Sequence, residues 1–261
     1  MKRIIQLCLL KIYAQVVRTG LLSTSWGRSL FLITYNWYKL FVEARDVQSL
    51  RSYVKPGEVV IDIGANVGFF TKRFARWVSG GGFVIAVEPE TSNFRQLLRN
   101  LDNSGVAAVV RTVQGVAAEQ RGTLKLAVSP IHPGDHKIAP EGVDVTAFTI
   151  DDLVRKEPAA RVCLMKIDVQ GAEERVLRGA QETIQRDHPA ILVEMDDEAL
   201  RKMGSSAERV VTWLMDFGYV SFSGLGKNSQ MGQIPVAEAL RMCRNGRYVD
   251  LLFVEASSAG R

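Results

Sequence analysis

The chain has 261 residues, 47% of them apolar and 23% charged, which suits one large α/β domain or one domain with an appendage and excludes disorder, collagen or repeat arrays as the main architecture. Cys8, Cys163 and Cys243 are too few and too scattered for a disulfide framework or a clustered zinc site, pointing to a reducing compartment. The net charge of +5 is unevenly placed: residues 1–42 hold six Lys or Arg and no Asp or Glu, and the rest carries 27 basic against 28 acidic side chains. A body without excess positive charge argues against a nucleic-acid groove.

The first segment, 1–53, is expected to form a helical appendage. Apolar residues recur at helical spacing from Ile4 to Val16, Lys11 and Arg18 are interspersed, and seven aromatics lie within residues 1–42. No run is long and apolar enough for a conventional membrane-spanning helix, and Lys11 closes the apolar stretch too early for a secretory signal. Three readings stay open: a basic, aromatic-rich contact with an anionic membrane surface, a cap on the domain, or a homodimer contact. The expected location is the cytoplasm, peripheral to the inner membrane face under the first reading.

From Val54 to the end the pattern is that of βαβ units. Pro56-Gly57 turns the chain into a strand at Glu58–Ile63, and a helix follows at Phe69–Val78. The next strand is Phe83–Val87, followed by a helix near Asn93–Asn103 capped by Thr91 or Ser92. Ala107–Val113 is a third strand. Leu124–Val128 and Asp144–Phe148 flank a loop, Ser129–Gly142, expected to act as a lid or acceptor loop. Thr149 caps a short helix. Strand Val162–Ile167, helix Glu173–Ile184, strand Pro189–Met195, helix Ser205–Phe217 and strands Tyr219–Phe222 and Tyr248–Glu255 complete the order.

The first strand ends in Asp62 and runs through Gly64-Ala65-Asn66-Val67-Gly68 into a helix. A glycine-rich turn after the first strand is a nucleotide-site device of doubly wound sheets. The spacing lacks the Gly-x-Gly of a dinucleotide fingerprint and the Gly-Lys-Ser/Thr of a P-loop, and it suits a nucleoside carrying an amino acid. Glu88, 20 residues after Gly68, ends the second strand, where a carboxylate can accept both ribose hydroxyls.

Asp-Ile-Gly-Ala-Asn-Val-Gly (62–68), Glu-Pro (88–89), Thr-Ile-Asp-Asp-Leu (149–153) and Lys-Ile-Asp-Val-Gln-Gly-Ala-Glu (166–173) resemble the FkbM family of S-adenosylmethionine-dependent methyltransferases. The resemblance covers about residues 54–255 and implies a Rossmann-like sheet of seven strands, parallel except for one, with helices on both faces. It implies S-adenosyl-L-methionine as cofactor, with Asp62 and the turn Gly64, Ala65, Asn66 and Gly68 on the methionyl part and Glu88, followed by Pro89, on the ribose. It also implies an O-methyltransferase acting on a sugar hydroxyl of a polysaccharide, glycolipid or natural product, with a small-molecule or lipid-linked glycan as acceptor. Gln170 departs from the family, which usually has Glu there, so any role of that carboxylate, including a metal role, does not carry over.

Asp168, ending the fourth strand near Asp62, is the first candidate to orient or deprotonate the acceptor; the alternative is a cap on the following helix. His136 and His132 are candidate bases in the insert, and His188 reads as a helix-end residue. Glu194, Asp196 and Asp197 read mainly as an acidic solvated loop, with an oxygen-rich magnesium site as the alternative. Arg175 and Arg178 read as a solvated helix face. Tyr35 and Lys39 match a dehydrogenase Tyr-x-x-x-Lys only by chance, since they precede the turn. Two other functions remain open: a nicotinamide-dependent dehydrogenase on the same sheet, and a non-catalytic scaffold.

Overall fold

A computed structural model describes residues 47–129, 136–157, 161–222, 232–244 and 248–258. The chain divides into two units between Ser49 and Leu50, and almost all of the first lies outside the described residues. The readings of residues 1–42 and of His132 fall there too.

The second unit is built on the apolar runs. Strands β1 (Val59–Ile63), β2 (Phe83–Glu88) and β3 (Val110–Gln114) lie side by side and parallel. On the other flank of β1 come β8 (Val162–Ile167) and β9 (Ala190–Met195), also parallel. Continuous apolar runs fit strands covered on both faces, where alternation would put polar groups in the core. β1 and β8 are buried at every position. Beyond β9 lie β11 (Val249–Glu255), antiparallel to both neighbours, and then β10 (Tyr219–Phe222). The order β10-β11-β9-β8-β1-β2-β3 makes a seven-stranded sheet with one antiparallel strand, as expected.

The chain proceeds from β1 towards β3 on one side and from β8 towards β9 on the other. The carboxyl ends of β1 and β8 therefore flank a topological switch point, the place where open α/β sheets bind ligands.

The helices differ from expectation where caps and close contacts decide. Helix α1 (Phe69–Trp77) stacks Phe70, Phe74 and Trp77 in series, with ring centroids 5.9 and 5.5 Å apart. Helix α2 (Thr91–Asn103) is capped not by Thr91 or Ser92 but by Glu90, whose carboxylate accepts the Asn93 N–H at 2.7 Å. The strand expected from Ala107 opens as a 3-10 turn, Ala107–Val109. Thr149 caps α3 (Ile150–Arg155) as expected, accepting from Asp152 N–H.

The helix expected over Glu173–Ile184 is two, α4 (Glu173–Arg178) and α5 (Gln181–Asp187). Gly179 lies between them, and its backbone sits so close to the Ala118 carbonyl that there is no room for a Cβ. Helix α6 (Asp197–Lys202) follows β9, α7 (Ala207–Asp216) is capped by Ser206, and α8 (Val236–Cys243) precedes β11. His188 ends α5 in the left-handed conformation, consistent with its reading as a helix-end residue.

The insert after β3 forms a second sheet of four strands, ordered β4-β7-β5-β6: Val116–Ala117, Val143–Phe148, Gly122–Ala127 and Lys137–Ile138. Two of these strands were expected. The other two are two residues long, too short for any periodicity to show.

Candidate active site

The β1–α1 turn is locked by its backbone. The Gly64 and Ala65 amides both donate to the Val87 carbonyl, at 3.0 and 2.9 Å, joining the turn to the end of β2. Gly64 has φ 79°, and a Cβ on it would overlap the Asp168 carbonyl oxygen. Only glycine lets the tips of β1 and β8 meet so closely. Asn66 is left-handed at φ 50°, and its side chain accepts the Val67 N–H at 2.7 Å. Gly68, at φ 88°, opens α1 without a side-chain cap. Asn100 of α2, unmarked in the sequence reading, donates to the Val67 carbonyl at 2.7 Å and holds the turn from outside.

Glu88 ends β2 with 3% of its surface exposed. Its Oε2 accepts the Asn66 N–H at 2.8 Å and its Oε1 accepts the Glu90 N–H at 3.0 Å. Burial pushes its carboxyl up to about 7, with the amides of Glu90 and Asn66 opposing the shift. The Asn93 side chain also donates to it. A carboxylate offers about four acceptor positions, so these three donors leave about one, which a ribose hydroxyl can fill. Pro89 follows directly and leads into the Glu90 cap.

Asp62 lies beneath the turn, fully enclosed. Its Oδ2 accepts the Thr71 hydroxyl at 2.6 Å, tying β1 to α1, while Oδ1 makes no hydrogen bond and lies 3.7 Å from Lys166 Nζ. The β1–β8 register sets Asp62 opposite Lys166. Burial raises the Asp62 carboxyl, and Lys166 opposes that most. Lys166 is itself 4% exposed, lies over the Phe70 ring at 4.7 Å, and donates to Asp168 Oδ2 at 3.1 Å. The sequence reading quoted Lys166 only within a motif. A lysine near the end of an otherwise apolar strand, two residues before an aspartate, was the signal for it.

Asp168 does not cap the next helix, which starts at Glu173 with Ala172 at its N-cap. Its amide extends the ladder to the Ile63 carbonyl at 3.1 Å, and its carboxylate, 23% exposed, faces Lys166. Gln170, left-handed at φ 55°, donates from Nε2 to Glu194 Oε2 at 3.0 Å and lies 3.5 Å from Asp168 Oδ1. Glu173 was also missed. Its Oε1 accepts the Gly171 N–H at 2.9 Å, its Oε2 is buried without a partner, and burial raises it to about 7.

The acidic residues at the end of β9 and just beyond it do not form a solvated loop. Glu194 turns inward to Gln170, Asp196 caps α6, and Asp197 holds Arg201 at 2.8 Å and the Ala207 amide at 2.8 Å. Among the described residues no group of three or more Asp, Glu, His or Cys side chains is placed to hold a metal ion. His136 precedes β6 at an edge of the small sheet, where its Nδ1 accepts the Ser129 N–H at 3.1 Å. Arg178 is half-exposed but paired with Glu174 at 2.7 Å, and Arg175 lies 3.8 Å from Glu119.

The described geometry is thus a glycine turn, a buried strand-end Glu and an Asp–Lys–Asp network at one switch point. Residues 62–221 match the family described as "Methyltransferase FkbM domain". The chain belongs to the FkbM methyltransferase family. Membership implies S-adenosylmethionine as the cofactor, and the acceptor position left on Glu88 beside the turn is compatible with a ribose hydroxyl.

This FkbM-family chain is 28% identical, over 53% of its length, to the hexuronic acid methyltransferase AglP of Haloferax volcanii. It is 26% identical, over 49% of its length, to the 31-O-demethyl-FK506 methyltransferase FkbM of Streptomyces tacrolimicus. It is also 27% identical, over 47%, to the methyltransferase sdnD of Sordaria araneosa. The chain spans 56%, 62% and 60% of those three proteins respectively. The solved FkbM methyltransferase of Methylobacillus flagellatus KT shares the fold, with a TM-score of 0.50 at 17% identity over 77% of this chain and 44% of that one. No helix among the described residues is long and apolar enough to cross a membrane.

Proposed function

We propose that this protein is an S-adenosylmethionine-dependent O-methyltransferase acting on a sugar hydroxyl of a polysaccharide, glycolipid or natural product. The observation that carries the reading is the buried Glu88 carboxylate at the tip of β2, beside the Gly64–Gly68 turn, whose Gly64 in turn meets the tip of β8 that presents Asp168. The names of two relatives, one a hexuronic acid methyltransferase and one acting at a position designated 31-O, support an oxygen acceptor.

Bound, S-adenosylmethionine supplies a methyl group on a cationic sulfur, open to in-line displacement by a hydroxyl oxygen. The chain's task is alignment and removal of the hydroxyl proton. Glu88 holds the ribose, the turn lets the backbone approach the ligand, and Asp168, partly exposed and steadied by Lys166, receives the hydroxyl proton. His136 is the second candidate for that role.

Calorimetry with S-adenosylhomocysteine tests the cofactor assignment: binding is expected, and heat from NAD(H) with none from S-adenosylhomocysteine overturns it. Asp168→Asn is expected to depress turnover far more than cofactor affinity, while equal turnover in both proteins returns Asp168 to a structural role. The basic, aromatic residues 1–42 support an acceptor delivered on a lipid. Replacing Lys2, Arg3, Lys11 and Arg18 by Gln should weaken binding to anionic liposomes at least about tenfold, at about 1 kcal/mol per cation. Unchanged binding removes the membrane contact.

A further inference from the structure

We propose that Asp168 and Glu194 share one proton in the cofactor-free protein and release it when a cationic cofactor arrives, so that Asp168 becomes a base only beside a methyl donor. The inference rests on the reading of this cleft as an S-adenosylmethionine site. Its geometric basis is Gln170. Its amide nitrogen lies 3.0 Å from Glu194 Oε2 and 3.5 Å from Asp168 Oδ1, so one NH2 group gathers two carboxyls from the ends of adjacent strands. The left-handed backbone at φ 55° turns the Gln170 side chain back onto them, a conformation that costs a non-glycine residue roughly 1 kcal/mol and persists where surrounding contacts enforce it.

Two carboxylates this close cannot both ionise cheaply. The surrounding charge sharpens the conflict. Lys166 faces the pair from β8, but its ammonium also lies 3.7 Å from Asp62. Asp250 stands opposite Glu194 in the β9–β11 register, and the charge of Glu173 in α4 opposes that of Asp168. Burial, then Asp168, then Asp250 hold the Glu194 carboxyl well above the usual range. The pair reaches solvent through Asp168, whose carboxylate is 23% exposed.

The charges then balance through a turnover. An arriving sulfonium adds one positive charge, and the shared proton leaves to solvent. When the acceptor oxygen's lone pair forms the new O–C bond, the S–C electron pair stays on sulfur and the hydroxyl proton passes to Asp168. The pair ends as it began, with one proton beside a neutral thioether, and the net charge of the cleft is the same before and after the methyl moves.

Calorimetry on the full chain near neutral pH, repeated in buffers of different ionisation enthalpy, counts the protons released on binding S-adenosylmethionine and S-adenosylhomocysteine. The two ligands share every titrating group and differ in the sulfonium, so proton release linked to Glu88 cancels in the difference. About one more proton is expected for S-adenosylmethionine. Glu194→Gln should abolish that excess and change the S-adenosylhomocysteine dissociation constant less than about threefold. No excess in the wild type, or an undiminished excess in Glu194→Gln, overturns the inference. Should that variant not fold, the wild type alone decides by infrared difference spectroscopy. A protonated-carboxyl band must disappear between the S-adenosylhomocysteine and S-adenosylmethionine complexes, and a band unchanged between them refutes the shared proton. Failure of both ligands to bind refutes the reading of the cleft itself, a distinct result.

Discussion

Glu88 offers the most quantitative handle on the cofactor site. Without ligand its carboxyl is pushed up to about 7 because burial opposes its charge, yet a donating ribose hydroxyl is best met by an ionised acceptor. Loading the neutral product S-adenosylhomocysteine should therefore require the ionised form. The apparent dissociation constant then scales inversely with the ionised fraction, which predicts affinity about twofold below its maximum at pH 7 and about elevenfold below it at pH 6. Between about pH 8 and pH 6 the dissociation constant should rise roughly tenfold. Glu88→Gln should bind weakly at every pH and lose this slope. Its amide must face either the Asn66 or the Glu90 N–H that the carboxylate now satisfies, and a charged hydrogen bond to ligand is lost at about 1.5–3 kcal/mol. That is at least a tenfold loss. Calorimetric titration over that pH range, with far-UV spectra checking the fold, makes the measurement. A flat wild-type profile, or a Glu88→Gln constant equal to wild type, refutes the assignment.

Gly64→Ala should cost at least about 2 kcal/mol in urea unfolding, since the new Cβ meets the Asp168 carbonyl in a left-handed backbone; a loss below about 0.5 kcal/mol contradicts the close approach of the two strand tips. Glu173 is raised from 4.5 to about 7 by burial. The folded chain thus binds an extra proton across that window, and stability falls as pH rises through it, by up to roughly 3 kcal/mol. Glu173→Gln should remove this part of the pH dependence, and an unchanged slope in chemical unfolding between about pH 5 and pH 8 counts against it. Glu174, held below its usual range by Ser205, Arg178 and Arg209 although burial pushes it up, should destabilise the fold by about 1.5–3 kcal/mol when changed to Ala, as thermal unfolding can check.

The sheet was legible because strands covered on both faces must be apolar, and Val59–Ile63, Val162–Ile167 and Ala190–Met195 look like nothing else at that length. The Gly64–Gly68 turn and Glu88 were legible because backbone approach and a lone carboxylate after an apolar run leave local marks. Lys166 and the inward turn of Glu194 were not, because their roles depend on neighbours 24 to 104 residues away in sequence: Gln170 for Glu194 and Asp62 for Lys166; for Glu173 it was the burial, which no local pattern marks. Helix ends erred for a related reason. Glu90 displaced Thr91 or Ser92 as the cap of α2, a contest among adjacent acceptors that only backbone geometry settles. The need for glycine at position 179 comes from the Ala118 carbonyl, 61 residues away in sequence.

The pairing of Asp62 with Lys166 in the register of β1 and β8 also bears on how the sheet assembles. Sliding β8 by one residue would turn the ammonium onto the opposite face of the sheet, among Ile and Val side chains, with no anion beside it. Stranding a buried charge costs about 3–5 kcal/mol, a large share of what a domain of this size has in hand. The same lysine that steadies Asp168 therefore favours one alignment of the central strands over its one-residue neighbours.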